Sequence, residues 1–439
     1  MKTIIATVFL IISTCVVAQN KIITLEKKKQ IESYINHFEI KNQLMGNVSI
    51  FENGEELINE TFGSKNNTDA TKYTVGSITK MFTSVLFAKM YESSKIDFDE
   101  KLSNYFPEIP NSNKITIKHL LSHTSGLKDY VVKNDSLYFW LKEPVANQDI
   151  IQEIRRQGIS FQPGDSLQYS NSAYYLLARI LEQKNQKTYK EIVADNITIP
   201  LGLENTFAID KYSKQLNVAK SYEKRNNQWN EMDEFYFPNT SGAGDIISNA
   251  YDLNKFLLAI FSEQIIKLST LKKMLPIDGD WFGMGFMKVP FYKDIAFGHG
   301  GDTYGTHAVT SYNPKNKIAI SYIINGENYP TNDFAIGLLS IIYDKDYKLP
   351  EFNEYVPEKR FYALYEGVYG AEDFPMNIKI YLEENELKAQ ADGQPFFTLS
   401  PKEKHVFSFV QAGIEIEFKP FENKFILRQS GQLFELKKL

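Results

Sequence analysis

Cysteine is almost absent: of 439 residues only Cys15 carries a thiol. That residue lies inside the amino-terminal apolar segment, so the rest of the chain has no disulfide, Cys metal site or Cys nucleophile. No apolar run reaches the length of a membrane span; the run at residues 4–12 is too short and nothing later exceeds it. There is no dense Lys/Arg block, and the formal net charge is −5, which argues against a nucleic-acid partner. Internal repeats and low-complexity tracts are missing too. The amino terminus reads as a leader. Lys2 precedes the apolar run, and Val16-Val17-Ala18 before Gln19 offers the small residues of a cleavage site, so the cut is expected after Ala18. A lipoprotein anchor on Cys15 ranks second, because Ile12-Ser13-Thr14 is a poor lead-in. The expected address is periplasmic or secreted, and export without disulfides fits a bacterial periplasm.

What the chain does carry centres on Tyr73-Thr74-Val75-Gly76-Ser77-Ile78-Thr79-Lys80 and the apolar run behind it. Ile78, Met81, Phe82, Val85 and Leu86 follow an i, i+3, i+4, i+7, i+8 spacing that predicts a helix. Phe87, Ala88 and Met90 widen the stripe nearly all round, so this helix belongs inside the protein. Ser77, Lys80 and Ser84 form a polar seam along it. An unpaired ammonium there is costly, and a cation in the first turn opposes the helix dipole by roughly 0.3–1 kcal/mol. Both effects push Lys80 toward the neutral form that can accept a serine proton. Ser77 is the candidate nucleophile and Lys80 its base; the plain alternative is Ser77 as a helix cap. The tetrad alone says little, since Ser125, Ser221 and Ser269 also open Ser-x-x-Lys. Ser125 lies in a turn-like segment, Ser221 in a polar stretch, and Lys272-Lys273 behind Ser269 read as a solvated face.

Upstream, Ile31, Tyr34, Ile35 and Phe38 predict a helix over 25–40, and Asn53-Gly54 between apolar runs predicts a hairpin over 47–62. Helix, paired strands and buried helix suggest helices laid on an antiparallel sheet. His119 and His123, four apart, could share a helix face and a metal. No HExxH surrounds them, so helix-end packing and capping is preferred and no metal is assigned. The aromatic stretch SLYFW at 136–140 reads as packing, with a substrate wall as the alternative. Residues 161–165 (FQPGD) are a turn. Tyr169-Ser170-Asn171 then precedes a helix expected over 173–183. Tyr169 could shuttle a proton and Asn171 orient Lys80 or a carbonyl, though an Asn near a helix start also caps.

Ser241-Gly242-Ala243-Gly244 fails the phosphate-loop pattern and reads as backbone packing before a helix at 251–261. Residues 295–302 predict a strand whose glycines allow close approach to its backbone. Such a strand edge beside a serine at a helix N-terminus would make an oxyanion hole. Strands at 307–312 and 317–324 and a helix at 334–343 follow. After Lys348-Leu349-Pro350 and Pro357, alternating runs at 365–369, 378–382, 387–391, 406–410, 414–418 and 425–427 predict an all-β tail. Glu-Asn, Asp-Gly and Ser-Gly breaks separate them.

Ser77-Ile78-Thr79-Lys80, Tyr169-Ser170-Asn171 and His299-Gly300-Gly301, in that order, resemble the serine β-lactamase and penicillin-binding-protein superfamily. The likeness is greatest to its class C-like branch of D-Ala-D-Ala carboxypeptidases, D-aminopeptidases and esterases. Residues 119–127 (HLLSHTSGL), Pro200-Leu201-Gly202-Leu203 and 242–252 also resemble that branch. The resemblance spans about 28–344, and the tail from 354 is similar to lipocalin-like β domains. It implies an α+β fold: an antiparallel sheet flanked by helices, plus a helical region, with the site between them. It further implies Ser77 as the acylated nucleophile, Lys80 as its activating partner, and Tyr169 as general base and proton donor to the leaving group. Asn171 would hold Lys80 and the substrate amide. His299, Gly300 and Gly301 would border the cleft, and the backbone N–H groups of Ser77 and Asp302 would form the oxyanion hole. No cofactor is implied.

The domain organisation expected is a leader at 1–18, a catalytic domain at 19–347, a linker at 348–358 and a lipocalin-like β domain at 359–439. At His299 the chain departs from β-lactamases, which usually carry lysine there. A neutral imidazole offers no fixed charge for a substrate carboxylate. The expected function is thus an exported serine hydrolase of D-residue peptides or of small esters and amides. Its partner is a small-molecule or peptide substrate, cell-wall-derived material included. A class C β-lactamase and a non-catalytic penicillin-binding sensor or scaffold are the alternatives.

Overall fold

Asn53 and Gly54 both take positive φ, 55° and 84°, as a two-residue hairpin requires. They join strands Leu44–Glu52 and Glu55–Phe62. In this computed structural model, residues 21–439 are described except 65–66, 134–135, 138–140, 211–217, 226–227, 235, 278, 353–354, 393, 395, 410–411 and 430–431. The segment at 1–18 expected to be a leader, with Cys15, residues 138–140 of the aromatic stretch, and the breaks at Gly393 and Ser430-Gly431 lie outside the described residues.

The hairpin forms one edge of an antiparallel sheet. Its order is Met287–Phe291, Asp294–Asp302, His307–Asn313, Ile318–Glu327, Leu44–Glu52, Glu55–Phe62. Strands Tyr222–Arg225 and Gln228–Glu231 extend it through a parallel pair at Gly326 and Tyr222. Strand Met287–Phe291 pairs only as far as Gly298, so residues 299–302 run past their outer neighbour. Helices Leu25–Ile40 and Thr331–Ile342 cover one face, where Val48, Ile50 and Ile320 pack with Ile31, Phe38 and Ile341. The other face carries buried Asn47, Ser49, Thr310 and Ser321 under helix Ala250–Phe261. Desolvated polar groups need partners. Asn254 donates to the Ser49 carbonyl at 2.8 Å and accepts from the Ser321 hydroxyl at 2.7 Å.

Behind that helix lies Thr79–Glu92, buried at every position from Thr79 to Ala88 as its all-round apolar pattern requires. Phe82 stacks on Phe256 with ring centroids 4.0 Å apart. The same core takes in helix Asn171–Asn185, buried from Ser172 to Leu181. The α+β architecture expected from the sequence is the one observed.

The described residues between 345 and 358 carry no helix or strand. Phe352 still packs 5.6 Å from Phe38, and His37 Nε2 donates to the Pro350 carbonyl at 2.9 Å. Beyond lie, among the described residues, nine antiparallel strands, with Phe397–Thr398 and Ser400–Glu403 as the two edges. Leu399 alone joins those edges, so the sheet must curl back into a nearly closed barrel. Tyr365, Phe407, Phe418, Phe425 and Leu436 fill it. The run expected as a strand at 365–369 starts later: Tyr362–Tyr365 is a helical turn and the strand is Gly367–Ala371. Tyr362 and Tyr365 both bury against the barrel core. Two residues three apart share a face in a helix but not in a strand.

The Phe82–Phe256 stack ties helix Thr79–Glu92 to helix Ala250–Phe261, which covers the sheet. Phe82→Ala is expected to lower the unfolding free energy by about 3–5 kcal/mol, read from urea titration. A loss below about 1 kcal/mol would show that the two helices are held by something else.

Candidate active site

Ser77 sits in a tight 3-10 turn, Gly76–Ile78, that leads directly into helix Thr79–Glu92. Lys80 follows in the first turn and is fully buried. Its Nζ lies 3.0 Å from Ser77 Oγ, 2.8 Å from Asn171 Oδ1 and 2.8 Å from the Ala243 carbonyl. Three acceptors match the three donors of an ammonium. The neutral amine keeps the same contacts. The amide and carbonyl oxygens only accept, whereas the Ser77 hydroxyl can turn its proton toward the nitrogen lone pair. Burial pulls the Lys80 pKa down to about 7, and Asp129 acts in the opposite direction.

The Tyr169 phenol lies beside Ser77, and burial raises its pKa well above the usual value against the lowering effect of that hydroxyl. The phenol therefore keeps its proton. Its ring centre is 4.7 Å from Lys80 Nζ and 4.3 Å from the His123 ring. His123, at φ 59° just beyond helix Ile117–Leu121, grips both sides of this tyrosine. Its carbonyl accepts from Gln168 N at 2.9 Å and its Nδ1 from Ser170 N at 3.1 Å. Behind Asn171 stands Asp129, which accepts from Asn171 Nδ2 at 2.8 Å and from Asn171 N at 3.2 Å.

Strand Asp294–Asp302 passes close to the serine turn. A Cβ on Gly301 would lie 2.0 Å from the Val75 carbonyl and 2.9 Å from Ser77 N; one on Gly76 would lie 2.9 Å from Asp302 N. Only glycine fits either position. Gly300 has no such constraint, since its Cβ would meet nothing nearer than 3.8 Å. His299 is buried 6.4 Å from the Tyr169 ring, with Nδ1 on the Gly300 carbonyl and Nε2 unpartnered among the described residues. Burial, then Lys80, lower its pKa to about 3. It is neutral. Asp302 pairs with His307. Both line a cavity of about 460 Å³ with Tyr222, Thr303, Glu327 and, from the barrel, Gly413. Burial alone would lower the His307 pKa; Asp302 and Glu327 overcome it and the net shift is upward.

Ser77, Lys80 and Asn171 thus meet in one hydrogen-bonded group, with Tyr169, His299, Gly301 and Asp302 beside it. The histidines weighed as a metal pair part company. His119 caps its own helix, Nδ1 accepting from Thr116 N at 3.2 Å, while His123 faces Tyr169. The turn read as backbone packing at 241–244 does pack, Gly242 O accepting from Thr83 at 2.7 Å, but it also delivers the Ala243 carbonyl to Lys80. That carbonyl and Asp129 were not foreseen. A backbone oxygen has no sequence signature, and a lone Asp after a turn looks like any other.

The family model described as Beta-lactamase matches residues 40–339. A penicillin-binding protein of Bacillus subtilis (strain 168) is 25% identical over 447 residues, covering 92% of this chain and 97% of its own. The teichoic acid D-alanine hydrolase of Staphylococcus aureus is 25% identical over 318 residues, covering 69% of this chain and 75% of that protein. Among solved structures, the D-amino acid amidase of Ochrobactrum anthropi SV3 complexed with D-phenylalanine aligns with a TM-score of 0.63. The identity is 19%, over 73% of this chain and 99% of that one, a likeness of fold.

The buried amine has a signature in stability. The folded state releases the Lys80 proton near pH 7, whereas the unfolded chain holds it to about pH 10.4. Between those values the unfolded state binds more protons, so stability rises with pH across that window. Lys89, whose pKa burial also lowers, adds a smaller rise. In Lys80→Met the rise between about pH 7 and pH 9 should shrink, as read from urea midpoints. A slope equal to wild type would mean Lys80 is not held in this way.

Proposed function

Because the chain belongs to the Beta-lactamase family, whose model it matches over more than half its length, we propose that it is a serine hydrolase acting through an acyl-enzyme on Ser77. Its proposed substrates are D-aminoacyl amides or esters. The observation that carries this reading is the Lys80 amine, fully buried and 3.0 Å from the Ser77 hydroxyl.

In the proposed reaction, neutral Lys80 takes the Ser77 proton as Oγ attacks the substrate carbonyl, and a tetrahedral oxyanion forms. The N–H groups of Ser77 and Asp302, brought together by Gly76 and Gly301, would hold that oxyanion. The Tyr169 phenol, beside Ser77 and Lys80, donates its proton to the leaving amine or alkoxide and regains one from Lys80. Since burial keeps the phenol protonated, Lys80 rather than Tyr169 is the first base, a departure from the role the family resemblance implies for Tyr169. Water then enters by the reverse sequence and releases the acid.

The choice of substrate rests on charge. His299 is neutral where a β-lactamase-like site would present a cation. The adjoining cavity carries Asp302 and Glu327. That environment disfavours a carboxylate and suits an α-ammonium. Two relatives point the same way by name, a teichoic acid D-alanine hydrolase and a D-amino acid amidase. Export by the leader at 1–18 would put the enzyme where such substrates occur.

The test is a panel of D- and L-aminoacyl amides, p-nitrophenyl esters, D-Ala-D-Ala peptides and a chromogenic cephalosporin, run beside Ser77→Ala and Tyr169→Phe. The D-aminoacyl compounds should be turned over best. The acid limb of kcat/KM should fall near pH 7, from Lys80. Ser77→Ala should lose at least about 10⁴-fold, and Tyr169→Phe about 10²–10⁴-fold. Equal fluorophosphonate labelling of wild type and Ser77→Ala would sink the acyl-enzyme.

A further inference from the structure

An asparagine side chain has the same shape whichever way its amide faces; its partners decide. At Asn171 the partner that decides is Asp129. A carboxylate only accepts, so Asp129 Oδ2 takes Asn171 Nδ2 at 2.8 Å and leaves Oδ1 as the end 2.8 Å from Lys80 Nζ. Were the amide reversed, two NH₂-type donors would face each other at Lys80 and two acceptors at Asp129. The carboxylate is itself fixed, because Oδ1 accepts from Val131 N at 3.1 Å and Oδ2 also accepts from Asn171 N at 3.2 Å. We infer that Asp129 is a positioning residue of this active site: acting through Asn171, it fixes which end of that amide meets Lys80.

This inference rests on the acyl-enzyme reading for its kinetic consequences, though not for its geometry. Asp129 is also the one carboxylate that raises the pKa of Lys80 against the lowering by burial. The other titratable groups around the amine are the Tyr169 and Tyr174 phenols and the imidazoles of His123 and His299. Burial keeps all four uncharged at neutral pH. On the 242–245 turn Asp245 accepts from Gly242 N at 2.9 Å and faces Arg179. Removing the charge at 129 therefore lets the Lys80 pKa fall further.

The experiment compares wild type, Asp129→Asn and the exchange Asp129→Asn/Asn171→Asp. The exchange restores a donor at 129 facing an acceptor at 171 and sets a carboxylate directly on Lys80. Single-turnover acylation by a p-nitrophenyl ester is followed against pH, and the Lys80 titration by ¹³C NMR of labelled lysine, assigned with Lys80→Met. Asp129→Asn should acylate about 100-fold more slowly. Its acid limb and its Lys80 titration should both move down by about one pH unit. The exchange should recover rate and move both above wild type. A wild-type limb and rate in Asp129→Asn, or an exchange variant no better than the single one, overturns the assignment. So does loss of fold in both variants by circular dichroism, which would make Asp129 a residue of the fold alone. Acylation of Ser77→Ala at the wild-type rate would instead defeat the acyl-enzyme reading, and the Lys80 titration would still report on Asp129.

Discussion

A primary amine taken out of water is the constraint from which the rest of this molecule follows. Moving an ammonium into a protein interior costs several kcal/mol even after relaxation. Lys80 meets that cost with three oxygens drawn from positions 77, 171 and 243, segments far apart in the chain. Each must be delivered by a rigid element, so the helix carrying Lys80 has to be interior. One turn deeper, Ser84 is paired with Tyr174 at 3.1 Å, and a Cβ on Gly285 would lie only 2.1 Å from its Oγ. What those hydrogen bonds cannot offset is relieved by giving up the proton. The same desolvation that demands the packing leaves the amine unprotonated, and so able to accept a proton, near neutral pH.

Much of this was legible in the sequence because it is periodic. Helix Leu25–Ile40 and the hairpin at Asn53-Gly54 follow from spacing and turn chemistry that local sterics enforce. So does the interior helix after Ser77, since an apolar stripe that closes round a helix leaves no face for water. The triplet Tyr169-Ser170-Asn171 was visible as residues but not as a site. Its link to Lys80 spans 91 positions and belongs to packing, which a single sequence does not display. Local pattern failed where tertiary burial overrode it. Tyr365 sits in an alternating run, yet the barrel core pulls it and Tyr362 to one side and a helical turn results. Ser400–Glu403 was not foreseen because it is exposed throughout and carries no apolar alternation.

The electrostatics of the cleft are simpler than its composition suggests. Two imidazoles flank Tyr169, and a third lies at His307. Burial and the neighbouring amine keep His123 and His299 uncharged. The His307 shift is upward, but that ring is paired with Asp302 and faces the acidic cavity. Around the serine, among the described residues, Lys80 is accordingly the group that changes charge near neutral pH. A second cation beside it would raise the energy of the ammonium and of itself. In the proposed reaction the proton leaving Ser77 would therefore have a single place to wait before it replaces the one Tyr169 gives to the leaving group.

Helix Asn171–Asn185 explains how that place is kept in register. Its N-cap, Ser170, makes no side-chain cap bond, and its Oγ is unpartnered among the described residues. The first N–H groups of a helix must be satisfied somehow. Here a separate loop does it: His123 takes Ser170 N and Asp129 takes Asn171 N. The loop is bound in return, with Ser172 Oγ donating to the Lys128 carbonyl at 2.6 Å and accepting from Tyr130 N at 2.9 Å. A helix capped by its own serine would need nothing from residues 123–130. By leaving the cap to them, the chain makes the position of Asn171, and hence of the Lys80 amine, depend on the same loop that grips Tyr169. The amine and the phenol cannot shift independently.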